Sequence, residues 1–116
     1  MPTTYKVLGQ IDSGTTNPAV IYTVPNSPAT QTIVSSIVVA NRSSIDIAGF
    51  RISINPNGVG VTPEQYIYYD VPIAQNDTFI ATVGITMDSD DTITVEATGP
   101  GIADISFQIF GSEITP

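Results

Sequence analysis

The chain has 116 residues, a length that suits one domain burying roughly two-thirds of the surface exposed when unfolded. It contains no cysteine and no histidine, which excludes disulfide staples and thiolate metal sites and removes the usual general base. Eleven acidic against three basic residues give a net charge of -8. Such a surface disfavours nucleic acid and anionic membranes, whose affinity rests on Lys and Arg.

The apolar residues are mostly Ile and Val, with Leu8 the sole leucine, and β-branched side chains favour strands over helices. Turn-forming clusters recur at Pro25-Asn26-Ser27-Pro28, Asn41-Arg42-Ser43-Ser44, Asn55-Pro56-Asn57-Gly58, Gln75-Asn76-Asp77, Asp88-Ser89-Asp90-Asp91 and Thr98-Gly99-Pro100-Gly101. The segments between them predict strands near 4–10, 19–24, 31–40, 47–54, 65–71, 77–85, 92–97 and 103–110. Residues 1–3 and 112–116 read as tails. The start, Met1-Pro2-Thr3-Thr4-Tyr5-Lys6, lacks the basic and apolar regions of a secretory signal. No apolar run approaches the roughly 20 residues of a membrane helix.

The third segment places Ile33, Val34, Ile37, Val38, Val39 and Ala40 on both faces, as in a strand covered on both sides by its own fold or by a neighbouring subunit. In the fourth, Phe50, Ile52 and Ile54 oppose Arg51 and Ser53. Alternation in the fifth sends Tyr66 and Tyr68 to one face and Tyr69 to the other. The sixth sets Phe79, Ala81, Val83 and Ile85 against Thr78 and Thr82, and the seventh sets Ile93, Val95 and Ala97 against Thr92, Thr94 and Glu96. Ile105, Phe107 and Ile109 mark the inward face of the eighth. Eight short alternating strands predict an all-β antiparallel sandwich, jelly-roll or Ig-like, in a single domain over 1–116.

The chemistry of an enzyme is hard to assemble here. Lys6 is the lone lysine, and neither Gly-x-Ser-x-Gly nor a P-loop occurs. The acidic residues fall in turns or on outward strand positions, so no enzyme and no cofactor are expected. The Asp88-Ser89-Asp90-Asp91 run offers oxygen ligands for a hard cation, but it departs from the EF-hand pattern and reads as a tight turn. Arg42 and Arg51 are expected to pair with nearby carboxylates. Tyr66, Tyr68 and Tyr69 fit a protein interface, an aromatic platform for sugars, or ordinary sheet tyrosines.

The order of segments carries a further signal. Tyr5-Lys6-Val7-Leu8-Gly9-Gln10, Ile21-Tyr22-Thr23-Val24-Pro25 and Val34-Ser35-Ser36-Ile37-Val38-Val39-Ala40-Asn41-Arg42 precede Phe50-Arg51-Ile52-Ser53-Ile54. Tyr66-Ile67-Tyr68-Tyr69-Asp70-Val71-Pro72-Ile73, Asn76-Asp77-Thr78-Phe79, Gly84-Ile85-Thr86, Ser106-Phe107 and Phe110-Gly111-Ser112-Glu113-Ile114 follow. Over nearly the whole chain this order resembles a family of small virion structural proteins of tailed bacteriophages, common among phages of cyanobacteria and other aquatic hosts. The resemblance implies a component of the virion, assembled in the host cytoplasm. The leading expectation is a capsid decoration (cement) protein contacting the major capsid protein, with a homotrimer favoured and Tyr66, Tyr68, Tyr69, Thr4 and Tyr5 as contact residues. The alternatives are a tail, baseplate or fibre protein of the same particle, and a carbohydrate-binding module for host glycans.

Overall fold

The structure is a computed structural model that describes residues 2–116; Met1, part of the expected N-terminal tail, lies outside the described residues. Eight strands form: β1 (Thr3–Asp12), β2 (Ala19–Thr23), β3 (Gln31–Asn41), β4 (Ala48–Asn55), β5 (Tyr66–Ile73), β6 (Thr78–Met87), β7 (Thr92–Thr98) and β8 (Ile105–Ile114). Two short 3-10 turns, Pro56–Gly58 and Pro63–Gln65, occupy the connection between β4 and β5. Each of the eight expected strands is present. Thr3 and residues 112–114 are not tail, because Thr3 pairs with Ile114 and extends the β1/β8 ladder to its end.

The strands make two antiparallel sheets, ordered β1-β8-β3-β6 and β2-β7-β4-β5. The ladders pair β1 with β8, β2 with β7, β3 with β6 and β4 with β5, as if one long hairpin had been rolled up. That order is a jelly roll, which resolves the sandwich between its two expected forms. The core lies between the sheets. Val24, Val34, Val39, Phe50, Ile52, Ile93, Ile105 and Ile109 are completely inaccessible. Each large side chain buried this way contributes about 1.5–3 kcal/mol.

The alternation expected for β4, β6, β7 and β8 holds, with the apolar set of each turned inward. In β3 the period slips. A bulge between Val34 and Ser36 lets Val34 and Ile37 both point into the core, three residues apart. Ile33, Val38 and Ala40 point outward and stay exposed or half-buried. The chain's own fold therefore fully covers one face of β3.

The long sides of the sandwich close differently. Along one, β1 crosses β2 so closely that a Cβ on Gly9 would lie 2.4 Å from the Ile21 carbonyl oxygen. Only glycine fits there. Along the other, aromatic rings do the closing. Phe79 of β6 lies 5.3 Å from Tyr68 of β5 and 5.1 Å from Phe50, between centroids, in tilted and edge-on contacts that suit ring quadrupoles.

Candidate functional site: the two outer faces

Register fixes what each sheet presents to its surroundings. On the first sheet the outward rows run Tyr5-Ser112-Ile33-Thr86 and Val7-Phe110-Ser36-Thr82. The next are Gln10-Gln108-Val38-Ile80 and Asp12-Ser106-Ala40-Thr78. One charged group appears in this grid, Asp12 at a corner, and Arg42 neutralises it by an ion pair. Tyr5 is 84% exposed and Ile80 is 68% exposed, with Val7 and Ile33 also open. A nearly uncharged face that mixes exposed apolar side chains with Ser, Thr and Gln, on a chain of net charge -8, is an uneven distribution, and exposed apolar groups gathered on one face mark interaction surfaces.

The outer face of the second sheet is built from polar side chains that hydrogen-bond to one another. Asn55, fully buried, donates from Nδ2 to Ser53 Oγ and to Gln65 Oε1, at 3.1 and 2.7 Å. Its Oδ1 accepts from the hydroxyls of Thr92 and Thr94, at 3.0 and 2.6 Å. The β4–β5 connection reaches over this network through Gln65, whose Oε1 also accepts from the Thr62 N–H at 3.1 Å. Beside it, the Arg51 guanidinium grips Asp70 with two hydrogen bonds, 2.5 and 3.2 Å, and sits 4.3 Å over the Tyr69 ring. This pairing holds the Asp70 carboxyl below the usual aspartate range.

The tyrosine strand departs from simple alternation. Register shifts on β5, between its pairings with Phe50 and Ile52 and between those with Ile52 and Ser53, break the period of two twice. Asp70, with φ at 52°, takes the left-handed conformation within the first irregularity. Tyr66 and Tyr69 consequently share the outer face, ring edge to ring face at 4.9 Å. Tyr68 turns inward instead, opposite Ile52, and packs on Phe50 and Phe79. The expected grouping of Tyr66 with Tyr68 is thus corrected.

The five residues expected at a partner interface do not converge. Tyr5 stands on the outer face of the first sheet, and Thr4, though exposed, has the opposite parity on β1. Tyr66 and Tyr69 lie on the far side of the sandwich, while Tyr68, partly buried, packs against the core cluster. Sequence reasoning missed Ile80 and Phe110 as members of the first outer face. Their signal was available: Ile80 interrupts an outer set in β6 otherwise made of threonines and Gly84, and Phe110 breaks the polar outer set of β8.

The acidic run folds as a turn. Asp91 Oδ2 accepts from the Asp88 N–H, Asp91 Oδ1 from the Asn57 N–H, and Asp90 Oδ1 from Asn26 Nδ2, at 2.9, 3.0 and 2.7 Å. No group of three or more His, Cys, Asp or Glu suited to a metal ion occurs among the described residues. The expected arginine pairings are present, Arg42 with Asp12 and Arg51 with Asp70, and Lys6 meets Glu113 at 3.2 Å. All three basic side chains are therefore spent within the chain.

The fold and its faces define a class: an antiparallel jelly-roll sandwich with one hydrogen-bonded polar outer face and one nearly uncharged face that exposes apolar side chains. No family model matches the chain, and no curated protein matches it.

Proposed function

We propose that the chain is a non-catalytic structural protein of a tailed-bacteriophage particle, a decoration protein that sits on the outer shell and bridges the major capsid subunits. The observation that carries the reading is the first sheet's outer face, where Tyr5, Val7, Ile33 and Ile80 stand exposed on a surface almost without charge. Covering that face against a neighbour removes apolar area from water and needs no charge to be desolvated. The order of sequence segments resembles small virion proteins of such phages. Jelly rolls serve viral capsids, but also lectins and cupins, so the fold permits the reading without selecting it.

Binding that spans several shell subunits stabilises the assembled state by mass action. A trimer would match the local threefold positions of a capsid lattice. The acidic remainder suits a location on the outside, away from packaged DNA. Imaging intact particles tests the assignment: density for this chain is expected at capsomer junctions, and particles lacking it should lose resistance to heat. Density confined to the tail would overturn the shell role in favour of a tail, baseplate or fibre component.

A second reading, glycan binding, is favoured by one observation. Arg51, Ser53, Tyr66, Thr94 and Glu96 line a recess of about 180 Å³ on the second outer face, next to the exposed Tyr69 ring. Aromatic faces beside hydrogen-bonding side chains suit a sugar. Glycan-array binding lost in Tyr66→Ala would support it, and an array without any hit would remove it.

A further inference from the structure

Each sheet of an open sandwich leaves two edge strands with unpaired backbone groups, and native proteins protect such edges. Three of the four edges here are protected by a charge, a short length or a proline. β1 carries Lys6 and a register shift between Val7 and Gly9. β2 is five residues long and irregular between Val20 and Tyr22. β5 contains Pro72, the left-handed Asp70 and two register shifts.

The fourth edge, β6, is different. Its ten residues, Thr78–Met87, include no charge and no proline. Its ladder with β3 carries one bulge, where three steps of β6 from Thr82 to Ile85 face two of β3, yet in-and-out burial along β6 alternates unbroken to Met87. Ile80 stands exposed beside Val38 on the outer side. About every second residue of such an edge aims its N–H and C=O away from the sheet.

We infer that β6 is a pairing edge for an extended segment of another protein, uncharged along its centre and basic at both ends. The basic ends follow from the flanks. Asp77 and Asp88 bracket the strand, roughly 36 Å apart at ~3.3 Å per residue, and neither makes an ion pair among the described residues. A second copy of this chain is a poor occupant. Antiparallel pairing of two β6 strands in full register sets Asp77 of each against Asp88 of the other, and like charges placed opposite are destabilising. Parallel pairing of copies does not close on itself. The residue opposite Ile80 is apolar in this scheme, giving a cross-strand pair. The inference does not depend on the particle assignment, because an edge without charge or proline pairs in whatever assembly supplies the strand.

The test uses the whole protein and a synthetic peptide of alternating threonine and valine with lysines at both ends, read by amide hydrogen exchange. Alternate amides within Thr78–Met87 should exchange at least about tenfold more slowly with peptide, and binding should weaken as salt rises. A twin with glutamates at the ends should bind at least about tenfold more weakly. Backbone N-methylation at alternate peptide residues should abolish protection, and Asp77→Asn with Asp88→Asn should remove the preference for lysine. Absence of protection on β6, protection on β1 instead, or equal binding of the two peptides would overturn the inference. So would dimerisation of the protein through β6, which would make a second copy the occupant.

Discussion

The Tyr22 hydroxyl on β2 donates a 2.6 Å hydrogen bond to Glu113 on β8, joining the two sheets at one end of the sandwich. The same hydroxyl meets Thr32 of β3 at 2.7 Å, and Glu113 also takes the Lys6 ammonium of β1. Four strands thus share one polar junction, buried at Tyr22 and Thr32 and open to solvent at Lys6. Burial, followed by the Glu113 carboxylate, pushes the Tyr22 phenol far above its ordinary range.

Tyr22→Phe keeps the ring and removes the junction's centre. A hydrogen bond to a charged group is worth about 2 kcal/mol, so urea denaturation should show a loss of that size with an unchanged m-value. The phenol's raised pKa adds a sign. Its contribution is complete below the unfolded value of about 10 and is lost as pH rises beyond it. Wild type should therefore lose more stability than the variant between about pH 10 and 12. Parallel alkaline curves would contradict this.

Tyr68→Ala should cost about 2–4 kcal/mol, since it removes a ring packed on Phe50 and Phe79 and leaves a void. Tyr69→Ala, at a residue 57% exposed, should stay within about 1 kcal/mol. Thermal melts of the pair check the inward turn of Tyr68 directly; equal losses would count against it.

Gly9→Ala drives a methyl group into the Ile21 carbonyl, a backbone atom that cannot swing aside, and should destabilise by at least about 1–3 kcal/mol. Gly84→Ala meets nothing within 4 Å and should be neutral or slightly stabilising. Chemical denaturation of the two variants side by side separates close approach from a general glycine effect.

Asp70 owes its lowered pKa first to the hydrogen bond from Arg51. A depressed carboxylate contributes stability that is fully present above its unfolded value, about 3.9, and lost as pH falls through the folded value. In Arg51→Gln, carboxyl carbon NMR should show Asp70 titrating at higher pH than in wild type. An unmoved midpoint would mean that the ion pair is absent in solution.

The eight strands were legible in the sequence because β-branched runs alternate with turn residues that have their own reasons to bend the chain. The faces of β4, β7 and β8 were legible for the same cause, a strict period of two. The tyrosine strand was not. Of its two irregularities, the first holds Asp70 in a conformation usually given to glycine, the second separates Tyr66 from Tyr68, and Tyr66–Ile73 contains no glycine to announce either. The strand order was equally hidden, because pairing β1 with β8 joins segments nearly a full chain apart and leaves no local trace. The nearly uncharged outer face needed that order, since Tyr5, Ile33 and Ile80 become one surface only once β8 and β3 lie between β1 and β6.

The nesting of the ladders sets a timetable for synthesis. β7 is the sole ladder partner of β2, and β8 is the sole partner of β1. Until residues 92–114 have left the ribosome, only the β3/β6 and β4/β5 ladders can form, and the first two strands wait without neighbours. Ordering so distant a pair as Thr3 and Ile114 spends loop-closure entropy late and places the chain among the slower folders of its size. During that wait β1 and β2 are exposed, and Lys6 on one and the short length of the other keep the unfinished chain from pairing with its neighbours.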